Sequence, residues 1–246
     1  SDENEIPRMI RLEETTSTNN YLRGLVGKEP LPEGSVVVTD FQTAGRGQVG
    51  NTWESEGGKN LMFSIILYPD FLPANRQFLI SQITALSVKE TLDEYVDEVT
   101  VKWPNDVYVG ERKISGILIE HRVAGVHIQS SLCGIGVNIN QEQFLSDAPN
   151  PVSLFQLLGR ELPLQEVLEE LLECIGKRYE QIHRYAELEN DFLRHMYRST
   201  GIYDFEDERG IFRASVGGID EYGQLILKDT DGRERVYAFK EVKYVC

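Results

Sequence analysis

The chain has 246 residues, 41% of them hydrophobic, with 40 acidic against 25 basic side chains and a net charge of −15. That length supports one large domain, or a large one with a small appendage, and the composition is ordinary for a soluble globular protein. The charge argues against a chain that wraps nucleic acid or docks on an anionic membrane, because both depend on neutralising phosphates with surface cations.

Residues 9–12 read as a short strand. Ser17-Thr-Asn19 offers a helix N-cap ahead of Tyr21, Leu22 and Leu25, with Gly27 as the stop. Residues 35–40 form a buried strand that runs into a glycine-rich loop, and residues 60–67 form another apolar strand. Residues 75–96 carry Phe78, Leu79, Ile83, Leu86 and Leu92 at helical spacing on one broad face. Strands follow at 100–102, 107–109, 114–121 and 126–137, with Gly110-Glu-Arg112 as a hairpin connection.

A short helix is expected at 153–158. A long one is expected from 164 to about 197, with Gly176 as its weak point. After Gly201 the texture changes to short strands at 212–216, 225–228 and 235–239, separated by Gly217-Gly218, Glu221-Tyr-Gly223 and 229–232. These about 45 residues read as a small β-barrel that needs a neighbour for stability. The expected class is α+β, a mixed central β-sheet with flanking helices plus a small C-terminal β-domain, divided as 1–199 and 200–246. No run of about 18 apolar residues occurs, and the acidic start leads into no signal region. The expected location is cytoplasmic. Cys133, Cys174 and Cys246 make neither a disulfide framework nor a zinc pattern, and the four histidines show no close ligand pairing. No metal held by protein ligands is expected.

Four motifs carry chemistry. Gly45-Arg-Gly-Gln-Val-Gly50 lacks the lysine of a P-loop and precedes a strand, so it fits neither common dinucleotide pattern. Its glycines let backbone N–H groups approach an anion, and Arg46 adds fixed charge; the alternative is a flexible loop with a solvated arginine. In Lys102-Trp-Pro-Asn-Asp106 the proline stiffens a turn flanked by a cation and a carboxylate. Lys113-Ile-Ser-Gly116 opens the next strand; alternation puts Lys113 and Ser115 on one face, while Gly116 admits a ligand. Gly134-Ile-Gly-Val-Asn138 ends a strand with two glycines and an amide able to read an adenine edge, against the alternative of a kinked strand with capping asparagines. The acidic cluster 204–208 reads as a solvated turn.

In this order the motifs resemble the biotin–protein ligases, closely over about residues 13–140 and more loosely beyond. The resemblance implies a class II synthetase-like catalytic domain followed by an SH3-like C-terminal domain. It also implies a two-step reaction. Biotin attacks the α-phosphate of Mg2+-bound ATP to give biotinyl-5′-AMP, and a lysine of a biotin carboxyl carrier domain then takes the biotin. Carried over by residue, Ser17, Thr18, Asn19 and Gln42 hold the biotin head group. Gly45, Arg46, Gly47 and Gln48 hold its carboxylate end, with Lys113 and Gly116 completing the biotin site. Arg46, Trp53, Lys102, Asn105, Asp106 and Asn138 fall to the nucleotide. Lys113 and Arg46 are the catalytic cations.

The alternatives are a lipoate–protein ligase, whose dithiolane suits a polar head-group pocket less well, and a non-catalytic binding module, which would not need Arg46, Lys102 and Lys113 together. Some relatives carry an N-terminal DNA-binding domain. Here the shared motifs begin by Thr15, so no DNA binding is expected. A sheet edge could pair with a second copy or with the carrier.

Many members of the family carry a second arginine at the position of Gln48. Its absence removes one charge from the loop, and weaker retention of the adenylate is expected. Gln48→Arg should therefore slow biotinyl-AMP release in a stopped-flow measurement; an unchanged release rate would sink the idea.

Overall fold

The computed structural model describes residues 5–43, 56–145 and 150–246. Seven strands form the main sheet: β1 (Met9–Thr15), β2 (Val36–Gln42), β3 (Leu61–Leu67), β4 (Val99–Lys102), β5 (Asp106–Val109), β6 (Arg112–Ala124) and β7 (His127–Val137), in the order β1-β2-β3-β7-β6-β5-β4. Only β1 and β2 run parallel; the other pairs are antiparallel, which makes the sheet mixed as expected.

One face of the sheet is the main core. Val36, Phe63, Ile65, Val101, Val107, Ile117, Cys133 and Ile135 pack there beneath α2 (Phe78–Asp93) and α4 (Leu164–Glu180). A short 3-10 turn, Ala74–Arg76, precedes α2. α2 differs from the one-faced helix of the sequence reading, because nearly all of its residues from Leu79 to Val88 are buried. Its polar side chains tolerate this by bonding backwards: Thr84 Oγ to the Ile80 carbonyl at 2.7 Å, and Thr91 Oγ to that of Ser87 at 2.9 Å.

Among the described residues the opposite face is covered only in part. α1 (Thr18–Val26) lies over β2, β3 and β7, burying Leu22 against Val37, Ile66 and Leu132. Ser17 caps α1 by accepting from Asn20 N at 3.0 Å, and Gly27 ends it, both as the sequence signals.

The expected long helix is two. α4 stops at Glu180 and α5 (Tyr185–Arg194) restarts four residues later, while Gly176 stays inside α4. No glycine or proline marks the break. Ile182 is buried within it, and the change of direction brings Phe192 edge-on to Phe78 at 5.8 Å. Arg178 fastens the corner by pairing with Glu90 of α2 and with Asp191 of α5. A short helix, α3 (Leu154–Leu158), is closed at its start by a Ser153–Gln156 capping box.

The C-terminal residues form a five-stranded antiparallel sheet: β8 (Tyr203–Asp207), β9 (Gly210–Ile219), β10 (Leu225–Asp229), β11 (Glu234–Tyr237) and β12 (Lys243–Tyr244), in the order β11-β10-β9-β8-β12. Its inner residues Phe205, Ala214, Leu225 and Leu227 continue the main core. Two readings change here. Gly217 and Gly218 do not end a strand but lie within β9, at a register shift against β10. The acidic run 204–208 is not a turn but falls mainly in β8, where Asp204, Glu206 and Asp207 pair with Arg213, Lys243 and Arg235.

The two sheets meet at the turn before β10. Trp103 is buried and donates from Nε1 to the Gly223 carbonyl at 2.8 Å. Gly223 has φ +84°, and a Cβ there would stand 2.4 Å from Phe78 Cγ. Gly223→Ala should therefore cost about 2 kcal/mol or more from the left-handed backbone and overpacking together. The check is the urea midpoint, and an unchanged midpoint would contradict this packing.

Candidate active site

Among the described residues, the part of the sheet face beside α1 that no helix covers carries the candidate site residues. At its α1 end a polar cluster forms. Thr18 N donates to Gln42 Oε1 at 2.8 Å, and the Thr18 hydroxyl lies 3.3 Å from the same oxygen and 2.6 Å from that of Ser64. Ser64 also donates to Asn19 Oδ1. Asn19 Nδ2 reaches Glu120 Oε1 at 3.0 Å and the Leu118 carbonyl at 3.3 Å. Ser17, Thr18, Asn19 and Ser64 are all buried, so these bonds satisfy groups that water cannot reach. The sequence reading brought Ser17, Thr18, Asn19 and Gln42 together but missed Ser64 and Glu120. Ser64 left one trace, a lone hydroxyl in the otherwise apolar Leu61-Met-Phe-Ser-Ile-Ile-Leu67.

Next to this cluster the sheet floor has no side chains. Gly116 of β6 is paired with Gly136 of β7, and Gly134 of β7 is paired with both Leu118 and Ser64. Paired residues share a face, as do residues two apart in one strand, so Gly116, Gly134 and Gly136 all look toward the α1 side. Gly134 is needed for close packing, because a Cβ there would sit 2.7 Å from Asn19 Oδ1.

Beyond the floor lies a cation with its counter-charge. Lys113 Nζ is 3.2 Å from Asp106 Oδ1, and both side chains keep about a quarter of their surface in solvent. The expectation that Lys113 and Ser115 share a face fails at this point. β5 pairs Val107 with Ser115 and Tyr108 with Lys113, so Ile114 is an extra residue on β6. This bulge turns Lys113 to the same face as Asp106 and Gly116 and sends Ser115 inward, where it is fully buried. The bulged backbone is held by neighbours. Lys113 N donates to the Asn150 carbonyl at 2.8 Å, Val152 N to the Lys113 carbonyl at 2.9 Å, and Asn138 N to the Ile114 carbonyl at 2.9 Å.

Asn138 is buried and its Nδ2 donates to the Val152 carbonyl at 3.0 Å. Among the described residues its Oδ1 has no partner, which leaves an acceptor and not a paired donor and acceptor. Asn105 Oδ1 is likewise buried without a partner. Lys102 closes the β4–β5 hairpin opposite Asp106 and donates from Nζ to the Tyr108 hydroxyl at 3.0 Å. Burial holds its ammonium below the usual lysine pKa. The remaining candidates, Gly45, Arg46, Gly47, Gln48 and Trp53, lie outside the described residues.

In sequence along one face, then, come polar donors and acceptors, a flat floor and a cation. This layout suits an elongated ligand with a polar uncharged head, an apolar body and an anionic end.

The pattern of the Biotin/lipoate A/B protein ligase family matches residues 12–138, a segment that contains both the polar cluster and the Lys113 bulge. The bifunctional ligase/repressor BirA of Bacillus subtilis is 32% identical over 216 residues, covering 84% of this chain and 65% of that protein. The chain thus spans just under two thirds of that relative. The biotin–[acetyl-CoA-carboxylase] ligase of Paracoccus denitrificans is 30% identical over 82% of this chain and 87% of its own length. Among solved structures, the biotin protein ligase from Aquifex aeolicus in complex with biotin and ATP superposes with a TM-score of 0.80 at 25% identity, over 98% of this chain and 100% of that one. With just over half of its length matched by one family pattern, the chain belongs to the biotin/lipoate A/B protein ligase family.

Proposed function

We propose that this protein is an ATP-dependent biotin–protein ligase that makes biotinyl-5′-AMP and transfers biotin to a lysine of a biotin carboxyl carrier domain. The observation that carries this reading is the succession of polar cluster, glycine floor and Lys113 on one face of the sheet. Biotin has the matching chemistry: a ureido ring that both donates and accepts, a thiophane and valeryl body, and a terminal carboxylate. A dithiolane ring offers no hydrogen bonds to the polar cluster around Thr18, Asn19 and Ser64, whereas a ureido ring both donates and accepts, which favours biotin over lipoate.

In the first step a biotin carboxylate oxygen forms a bond to the α-phosphorus of Mg-ATP. The bond from that phosphorus to the bridging oxygen breaks, and pyrophosphate leaves. Negative charge gathers on the non-bridging oxygens and on the carboxylate, so the contribution asked of the protein is a fixed cation between them. Lys113 takes that role, giving up Asp106 for the ligand; a lost donor of this kind costs about 3–4 kcal/mol. Arg46 supplies the second charge. In the second step the carrier amine attacks the acyl carbon, a proton leaves the nitrogen, and AMP departs. Neither step needs a covalent enzyme nucleophile, since positioning and charge suffice.

On the same reading Asn138 Oδ1 accepts from the adenine amino group, Trp53 packs near the adenylate, and Asn105 and Asp106 border the nucleotide. The 200–246 segment forms an SH3-like domain beside a catalytic domain of residues 1–199, and the protein works in the cytoplasm. β4 is bordered by residues 195–197, through Val101 N to the His195 carbonyl and Tyr197 N to the Val101 carbonyl. Among the described residues β1 is therefore the sheet edge left to a second copy or to the carrier.

Three outcomes test the reading. Given Mg-ATP, equal biotin and lipoate and a carrier domain, the protein should add a biotinyl mass to the carrier by mass spectrometry. In Lys113→Ala both this gain and pyrophosphate release should fall by about 100-fold or more. A lipoyl gain, or full release in the variant, would refute the assignment. Gly134→Ala should push Asn19 aside with little effect on the fold and weaken biotin binding by about tenfold or more, roughly 1.4 kcal/mol, in calorimetry. Unchanged affinity would remove Asn19 from the head-group site.

A further inference from the structure

Lys102 sits among the motif residues but has an unusual environment. Its ammonium lies 4.6 Å from the centroid of Tyr108, 5.0 Å from that of Tyr244 and 5.6 Å from that of Tyr197. Three rings around one half-buried cation form a cage held by cation–π attraction, which is strongest where water is excluded. The rings come from three places: Tyr108 from β5, Tyr197 from the segment after α5, and Tyr244 from β12 of the C-terminal sheet. They also hold one another, with Tyr108 to Tyr197 at 5.0 Å and Tyr197 to Tyr244 at 5.7 Å. Arg198 braces the outer side, stacking on Tyr197 at 5.0 Å and pairing with Glu111 at 3.2 Å.

What the cage grips is the hairpin that carries Asp106. Lys102 and Asp106 are directly opposed across β4 and β5, and Asp106 holds Lys113. Trp103, one of the three residues between them, is fixed by the same C-terminal segment through Gly223 and through Phe239 at 6.4 Å. The turn 102–106 is therefore clamped at two points, chiefly by residues more than 90 positions away.

We propose that Lys102, with Tyr108, Tyr197 and Tyr244, is a positioning element that ties the orientation of Asp106, and through it of Lys113, to the docking of the C-terminal sheet. The proposal rests on the adenylation reading above, and it moves Lys102 from a nucleotide contact to a group that acts through Asp106. Tyr244 then matters to the reaction although it touches none of the reacting atoms. Its hydroxyl is buried with no hydrogen-bond partner among the described residues, so the ring and not the oxygen is the working part.

The test is biotin-dependent ATP–pyrophosphate exchange in the full chain, with biotin affinity and thermal midpoint measured alongside. Tyr244→Leu keeps apolar bulk but loses the π face, and Lys102→Met keeps the stem but loses the charge. Each should lower kcat by about tenfold or more, the scale of a slightly misplaced catalytic group, with KM for biotin within about twofold. Tyr244→Phe should restore the rate lost in Tyr244→Leu. Because both changes break one device, the double variant should be no slower than the worse single one. Full kcat in Tyr244→Leu, or effects that multiply in the double variant, would overturn the proposal. So would a raised KM for ATP at unchanged kcat in Lys102→Met, the mark of a direct nucleotide contact. Absence of exchange in the unsubstituted protein would remove the adenylation reading and the cage's role with it, whereas exchange that all the variants retain would remove the cage alone.

Discussion

One extra residue in one strand decides where the charge of the site points. Without Ile114 as a bulge, strict alternation along β6 would put Lys113 on the side of Ser115 and Val107, beneath α2. A lysine there would be buried without a partner, at a cost of several kcal/mol or with loss of its proton. The bulge sends the lysine to the open face and the apolar Ile114 into the core, where it is fully buried. A bulge leaves backbone groups out of the ladder, and these need other partners. They find them in Asn150, Val152 and Asn138, so the segment after β7 is tied to β6 by the repair of its backbone.

The polar cluster obeys a complementary constraint. Asn19, Thr18 and Ser64 are as buried as the leucines around them, yet each spends its hydrogen-bonding capacity on the others, on Gln42, or on Glu120 and the β6 backbone. A network satisfied in this way holds its geometry before any ligand arrives, which is the condition for a pocket that discriminates by hydrogen bonds instead of by shape alone. The glycine at 134 belongs to this network as much as to the floor. It lets the Asn19 amide settle onto the sheet closely enough to reach both Leu118 and Glu120.

What could be read from the sequence follows from how local each signal is. The α1 cap, the apolar β3 and the hairpin at Gly110 depend on residues within a few positions of one another, and each stands where its motif put it. The break between α4 and α5 carries no glycine or proline; it comes from Ile182, Leu188 and Phe192 seeking the core, which only the packed structure decides. Gly217 and Gly218 signalled a departure from regular strand but not whether it was an end or a bulge, since that depends on the partner β10. The same holds for Ile114. The tyrosine cage was least legible, because Tyr108, Tyr197 and Tyr244 come from three distant segments and none is unusual in its own neighbourhood.

The charge balance shows why a net −15 does not forbid an anionic ligand. At physiological ionic strength, exposed carboxylates more than about 8 Å away are largely screened, so the distributed excess acts weakly on a bound phosphate. Among the described residues, what a ligand at the proposed site meets at short range includes a lysine already paired with a carboxylate at 3.2 Å. Binding an anion at Lys113 is then an exchange of partners and not the capture of a bare charge. Asp106 also keeps the ammonium aimed at the face where the ligand arrives. The pair is thus best viewed as preorganisation: the aspartate lowers the net attraction to the anion but removes the cost of ordering the lysine when the anion binds. On the proposed reading, a site built in this way gains accuracy in placing the charge at some expense in ground-state affinity, which is the favourable direction for a group whose work is done as negative charge gathers on the phosphate oxygens.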